Sequence, residues 1–204
     1  MCIRDSSSNP NFYELFEKLL ARRATRVEDA TTVSADIIEK VRKSGDEALI
    51  KLTKELDGLD LISTGLIVDS DEIDEAINRI TTDQYDALKF AADRITAFHL
   101  KQMPDNFEYL DETEVKMGMR WSSVDSVGLY VPGGTASYPS SVLMNAIPAK
   151  VAGVPRRVIA VPQTRGSINP LVLAAAKLAD VQEVYRVGGA QAIAALAYGT
   201  ETIS

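Results

Sequence analysis

Two stretches bring together residue types suited to handling nucleotides: Tyr130-Val131-Pro132-Gly133-Gly134-Thr135 and Val187-Gly188-Gly189-Ala190-Gln191. In each, an apolar run ends on paired glycines and a helix-like stretch follows. That layout lets the free N–H groups and partial positive charge of a helix N-terminus meet an anion. Paired glycines admit backbone to a ligand with no Cβ in the way and tolerate positive φ. Beside them Tyr130, Ser137, Tyr138, Ser140, Ser141 and Gln191 offer rings and hydrogen-bonding groups. The standard nucleotide fingerprints are absent. The next lysine after Gly134 is Lys150, which excludes a P-loop. No G-x-G-x-x-G occurs, and the segment that should end in an acidic group for ribose hydroxyls ends in Val161-Pro162-Gln163. Pattern alone therefore leaves two readings open, a ligand site and plain tight turns between strand and helix.

Other chemistry is poorly supplied. Hydrolase triads and transition-metal sites draw on histidine and cysteine, and the chain has one of each, His99 and Cys2. His99 follows Phe98 on a helix-like stretch whose apolar stripe it borders, where a structural histidine is the default. Cys2 has no partner in the chain, which indicates a reducing, cytoplasmic setting. Carboxylates such as those of "SDEIDEA" fall on helix first turns, where dipole complementarity explains them. Tyr109, Trp121 and the alternating Met117 and Met119 read as core. The net charge of −7 argues against nucleic-acid and anionic-membrane partners. The pairs Arg22-Arg23 and Arg156-Arg157 are too short to make a basic face. No apolar run reaches the ~20 residues of a membrane helix. The opening "MCIRDS" reads equally as non-native read-through and as a frayed terminus.

The elements that must position the glycine loops follow from periodicity. Apolar residues at helical spacing predict one helix over Phe12 to Leu20 and a second over Val33 to Val41, ending at Ser44-Gly45. A third runs from Glu47 to Leu56, with Asp46 as N-cap and Gly58 beyond its end. "GLIVDS", residues 65 to 70, predicts a short strand leading into a helix capped by Ser70 and Asp71. Thr82 opens the longest helix, which stops before Pro104. Strand-like texture follows in "EVKMGMRWSS". From Val127 the pattern alternates: strand 127 to 131, helix 141 to 152, strand 157 to 161, helix 169 to 179, strand 183 to 187, helix 190 to 198. Pro148 predicts a bend or an end near Asn145. Apolar strands without polar alternation mark a parallel sheet covered on both faces. The fold class is α/β: a helix-rich N-terminal half, residues 1 to 126, then an incomplete Rossmann-like parallel β/α unit, residues 127 to 204.

The stretches "VGLYVPGGTASYPSSVLMNAIPAKVAGV" and "INPLVLAAAKLADVQEVYRVGGAQAIAALAYGTETI" closely resemble the histidinol dehydrogenase family, in the family's order. The likeness extends more loosely through "ITAFHLKQM" and the helical first half. It implies an oxidoreductase of histidine biosynthesis that takes L-histidinol to L-histidine in two NAD-dependent steps through the aldehyde. It implies zinc as a second cofactor, a domain-intertwined homodimer, and Rossmann-like units without the usual glycine fingerprint. By position, Tyr130 and Gln191 correspond to NAD contacts, the first stacking near the adenosine and the second bonding through its amide. Gly133, Gly134, Gly188 and Gly189 would shape their loops. The family's zinc ligands and its glutamate-histidine acid/base pair correspond to sequence beyond Ser204. The expectation is thus an N-terminal part of a longer enzyme, with no catalytic or zinc-binding residue of its own and no activity alone. The rivals are a relative acting on another alcohol, such as a sulfonated diol, and a non-catalytic nucleotide-binding module.

Overall fold

The computed structural model describes residues 6–133, 138–163 and 167–204, and for residues 21–29 the backbone alone. The chain opens on a long helix, α1 (Phe12–Asp57), broken at Gly45, whose φ of 49° and ψ of −128° leave the helical region. The two helices expected before Gly45 run together, because the sequence between Leu20 and Val33 holds no glycine or proline to end a helix. The expected cap at Asp46 is replaced. Its N–H is bonded 2.7 Å from Oε2 of Glu201, and its own Oδ2 accepts from Thr202. The opening turn after the kink is therefore capped from the far end of the chain. Gly58, at φ 72°, closes α1 in the left-handed region, where glycine carries no Cβ penalty.

After α2 (Leu61–Thr64), the segment read as a strand makes a single antiparallel bridge, Ile67 to Tyr185, flanked by bonds from Val68 N to Val184 O and from Arg186 N to Leu66 O. Its continuation is cut short by Asp69, whose carboxylate accepts from Glu72 N and starts α3 (Ser70–Asn78). Asp69, with extended backbone, is the cap, and Ser70 already lies inside the helix. Similarly Thr81, one residue before the expected start, caps α4 (Thr82–Leu100) in a reciprocal box with Gln84. Next comes an antiparallel hairpin, β1 (Phe107–Leu110) and β2 (Lys116–Met119), pairing Phe107 with Met119 and Tyr109 with Met117. Both strands are exposed throughout. Tyr109, Met117, Met119 and Trp121 are thus not core: the period-two pattern gave them a shared face, but no element among the described residues covers it. The apolar residues of early α1, from Tyr13 to Leu20, are likewise exposed.

The parallel unit follows as read: β3 (Ser126–Tyr130), α5 (Pro139–Val151), β4 (Arg156–Ala160), α6 (Pro170–Leu178), β5 (Glu183–Tyr185) and α7 (Gly189–Tyr198), with strand order β3-β4-β5. The register sets Tyr130, Ala160 and Tyr185 in one row, so the three following loops start level. Alternate side chains of β4 serve opposite cores. Ile159 and Val161 pack with α3, α4, α5 and α6, whereas Val158 and Ala160 pack with α1 and α7. Helix α5 continues through Pro148 to Val151, so of the two outcomes expected near Asn145, a bend or an end, the end does not occur. Pro148 withholds one hydrogen bond, while Val142, Leu143, Ala146 and Ile147 are buried along the same helix and hold it to the sheet.

Candidate functional site

Helices α5 and α6 lie on one face of the sheet and α7 on the other. Loops leaving β4 and β5 therefore diverge to opposite faces at the carboxyl edge, and the crevice between such diverging loops is the place where open parallel sheets bind ligands. Three helix N-termini meet this edge. That of α6 is closed by its own residues: Asn169 accepts from Leu171 N at 2.8 Å and Pro170 fills the first position. Those of α5 and α7 carry no side-chain cap, although Pro139 fills the first position of α5 as Pro170 does that of α6. These two follow the paired-glycine loops.

Between those loops stands Pro162. A Cβ on Gly133 would lie 2.5 Å from Pro162 Cγ, and a Cβ on Gly188 would lie 2.4 Å from Pro162 Cβ. Gly188 has an ordinary extended backbone, φ −129° and ψ −174°. Its requirement is for room against proline. The sequence left these glycines open between a ligand's approach and plain tight turns; in the fold the side where a Cβ would stand is taken by the protein's own Pro162. Gly189 differs. At φ +64° it needs glycine for its conformation, and a Cβ there would also meet the Gln191 amide, 2.6 Å from Oε1. Gly134 and Ser137 lie outside the described residues.

The structure brings Tyr130, Gly189 and Gln191 together. Gly189 N donates to the Tyr130 hydroxyl at 3.3 Å, so the last residue of β3 reaches the first turn of α7. Helix α7 lies directly over β3, since a Cβ on Gly128 would stand 2.9 Å from Leu196. Gln191 is 1 % exposed. Its Nε2 donates to Asp57 Oδ2 at 3.3 Å, and its Oε1 is buried without a partner. Burial at the end of α1 raises the Asp57 carboxyl above the ordinary carboxylate range. Asp57 was not singled out from the sequence. It lies 134 residues from Gln191, and only its place at a helix end before a glycine marked it.

A second polar group ties the same loop down. Arg186 is 4 % exposed, donates to Ile67 O at 3.0 Å and pairs with Glu72 in the first turn of α3. At the opposite, amino edge Arg156 holds Glu183 through two bonds, 2.8 and 3.1 Å, and draws that carboxyl below its usual range. Burial, then the bond to Glu183, pushes Tyr185 up to about 12. Tyr138 begins α5 exposed beside Ser140 and Ser141. His99 bonds Gln102 at 2.6 Å on α4, among residues that take no part in the crevice. Among the described residues, no group of three or more histidine, cysteine, aspartate or glutamate side chains is placed to hold a metal ion. Nor, among them, is any helix long and apolar enough to cross a membrane.

Comparison with known proteins decides the family: the model described as histidinol dehydrogenase matches residues 20–204. The chain belongs to the histidinol dehydrogenase family. It is 54 % identical over 203 residues to a histidinol dehydrogenase of Rhizobium meliloti (strain 1021), which takes in 100 % of this chain and 47 % of that protein. It is 52 % identical over 204 residues to one of Rhodospirillum rubrum, with the same coverage of both. The crystal structure of histidinol dehydrogenase from Elizabethkingia anophelis superposes with a TM-score of 0.80 at 34 % identity, covering 85 % of this chain and 40 % of that one. The chain thus spans about half the length of the curated relatives it matches.

Proposed function

We propose that this chain is the dinucleotide-carrying part of a histidinol dehydrogenase, which oxidises L-histidinol to L-histidine with NAD and zinc. The observation that carries the reading is the pairing of two uncapped helix N-termini, those of α5 and α7, at one carboxyl sheet edge, with Tyr130 bound to Gly189 between them. The residues present suit a dinucleotide: N–H groups for its phosphates, an aromatic ring in Tyr130, and a buried unpartnered acceptor in Gln191. NAD, when bound, supplies the hydride acceptor. What the chain's own residues do is hold it. Pro139 has no N–H, Ser141 N is bonded to Tyr138 O and Gly189 N to the Tyr130 hydroxyl, so the first-turn N–H groups that attract the phosphates are those of Ser140 in α5 and of Ala190 and Gln191 in α7. Pro162, flanked by Gly133 and Gly188, sets the depth of the floor, and the Tyr130 hydroxyl fixes α7 against β3. Zinc does not fit the described residues, which offer it no ligand cluster, so no step through the metal is assigned to them.

The reading makes two expectations for residues 1–204 alone. Isothermal titration with NAD gives saturable binding, and Tyr130→Ala weakens it about tenfold, or about 1.4 kcal/mol. With zinc and L-histidinol added, no NADH forms. Absence of binding at millimolar NAD sinks the dinucleotide reading, and NADH production sinks the division of labour. Assembly as a homodimer belongs to the same proposal, supported by the uncovered apolar residues of early α1.

A further inference from the structure

Gln191 is the most completely buried polar side chain at the carboxyl edge, and its two amide atoms have opposite fates. Nε2 donates to Asp57, whereas Oε1 is enclosed with no donor. An unmet buried acceptor is costly, and native structures keep few of them. The orientation follows from chemistry. Nε2 donates to the Asp57 carboxyl oxygen, an acceptor, which leaves the amide carbonyl turned away from it. The carbonyl then rests against Gly189, which is exposed and has no side chain. For a ligand to reach the oxygen, that glycine turn has to shift.

We propose that Asp57 is a positioning residue that holds the Gln191 amide with Oε1 toward the Gly188-Gly189 turn, as an acceptor reserved for a hydrogen-bond donor of the dinucleotide. The inference rests on the dinucleotide reading above. The donor is an N–H of the nicotinamide carboxamide or a hydroxyl of the adenosine-side ribose, groups that free phosphate lacks. Asp57 suits the task because it stands at the end of α1, where Gly58 terminates the helix and the α1–α7 core holds both partners.

The test titrates NAD and ADP-ribose into residues 1–204 carrying Asp57→Ala, Asp57→Asn or Val41→Ala. Val41→Ala loosens the same α1–α7 packing without touching the amide. Asp57→Ala is expected to weaken NAD binding about tenfold. Asp57→Asn keeps an acceptor but can also donate, which permits the amide to flip, so it falls between. Val41→Ala lowers the melting temperature and leaves the NAD dissociation constant within twofold. If ADP-ribose binding is unaffected by Asp57→Ala, the donor is the carboxamide; if it weakens in parallel, the donor is the ribose. A wild-type chain that binds NAD, with an unchanged constant in both Asp57 variants, overturns the role of Asp57 alone. Equal weakening in Val41→Ala also overturns it, by reducing the effect to packing. A wild-type chain that does not bind NAD overturns the dinucleotide reading and this inference with it.

Discussion

Gly188→Ala separates two explanations of the glycine loops. If the glycine exists to admit a ligand, alanine should lower affinity and leave the free chain's stability nearly unchanged. The structure says otherwise. The added Cβ would lie 2.4 Å from Pro162 Cβ, 3.1 Å from Cγ and 3.3 Å from Cα, inside normal contact with a ring that cannot rotate away. The extended backbone of Gly188 suits alanine, so no conformational penalty enters and the cost is overpacking, about 1–3 kcal/mol. Urea unfolding followed by circular dichroism should show that loss without any nucleotide present. Pro162→Gly, which deletes the clashing Cβ, should recover about 1 kcal/mol or more in the double variant, read as the coupling energy of the cycle. A stability change within about 0.5 kcal/mol for Gly188→Ala, or zero coupling to Pro162, would refute the account of the crevice floor.

Three further outcomes are expected. Glu201→Ala removes the acceptor for Asp46 N after the Gly45 kink and should cost about 0.5–2 kcal/mol in thermal or urea unfolding, with no effect expected if the cap is illusory. The Glu183 carboxyl is held low chiefly by its bond to Arg156, so its contribution is present above the unfolded value near 4.5 and is lost as pH falls through the lower folded value. Stability measured from pH 6 down to 3 should therefore decline less steeply in Arg156→Leu, and an unchanged slope removes the pair from the argument. The single tryptophan, Trp121, is 54 % exposed, and its fluorescence should be that of a solvated indole, readily quenched by iodide; a shielded, blue-shifted emission contradicts the exposed hairpin.

The parallel unit was legible because its signals are local. Runs such as "RVIAV" are apolar without alternation, and Asn169-Pro170 and Gly188-Gly189 announce the helix starts. The same locality placed Tyr130 and Gln191 at adjoining loops, which the structure joins through Gly189. What the sequence hid is non-local. Pro162 decides why Gly133 and Gly188 are glycine, yet it lies some 25 to 30 residues from both. Glu201 caps a turn 155 residues away, and Asp57 meets Gln191 across 134. The exposed hairpin shows a different limit. Alternation assigns Met117 and Met119 to a face, but burial depends on whether another element covers that face, and among the described residues none does.

Nuclear magnetic resonance of the isotopically labelled chain during an NAD titration tests the central claim most directly. Amide shifts confined to residues 130–133, 138–141 and 187–191 would place the dinucleotide at the carboxyl edge between α5 and α7. Shifts centred on the β1–β2 hairpin, or none at saturating NAD, would contradict it.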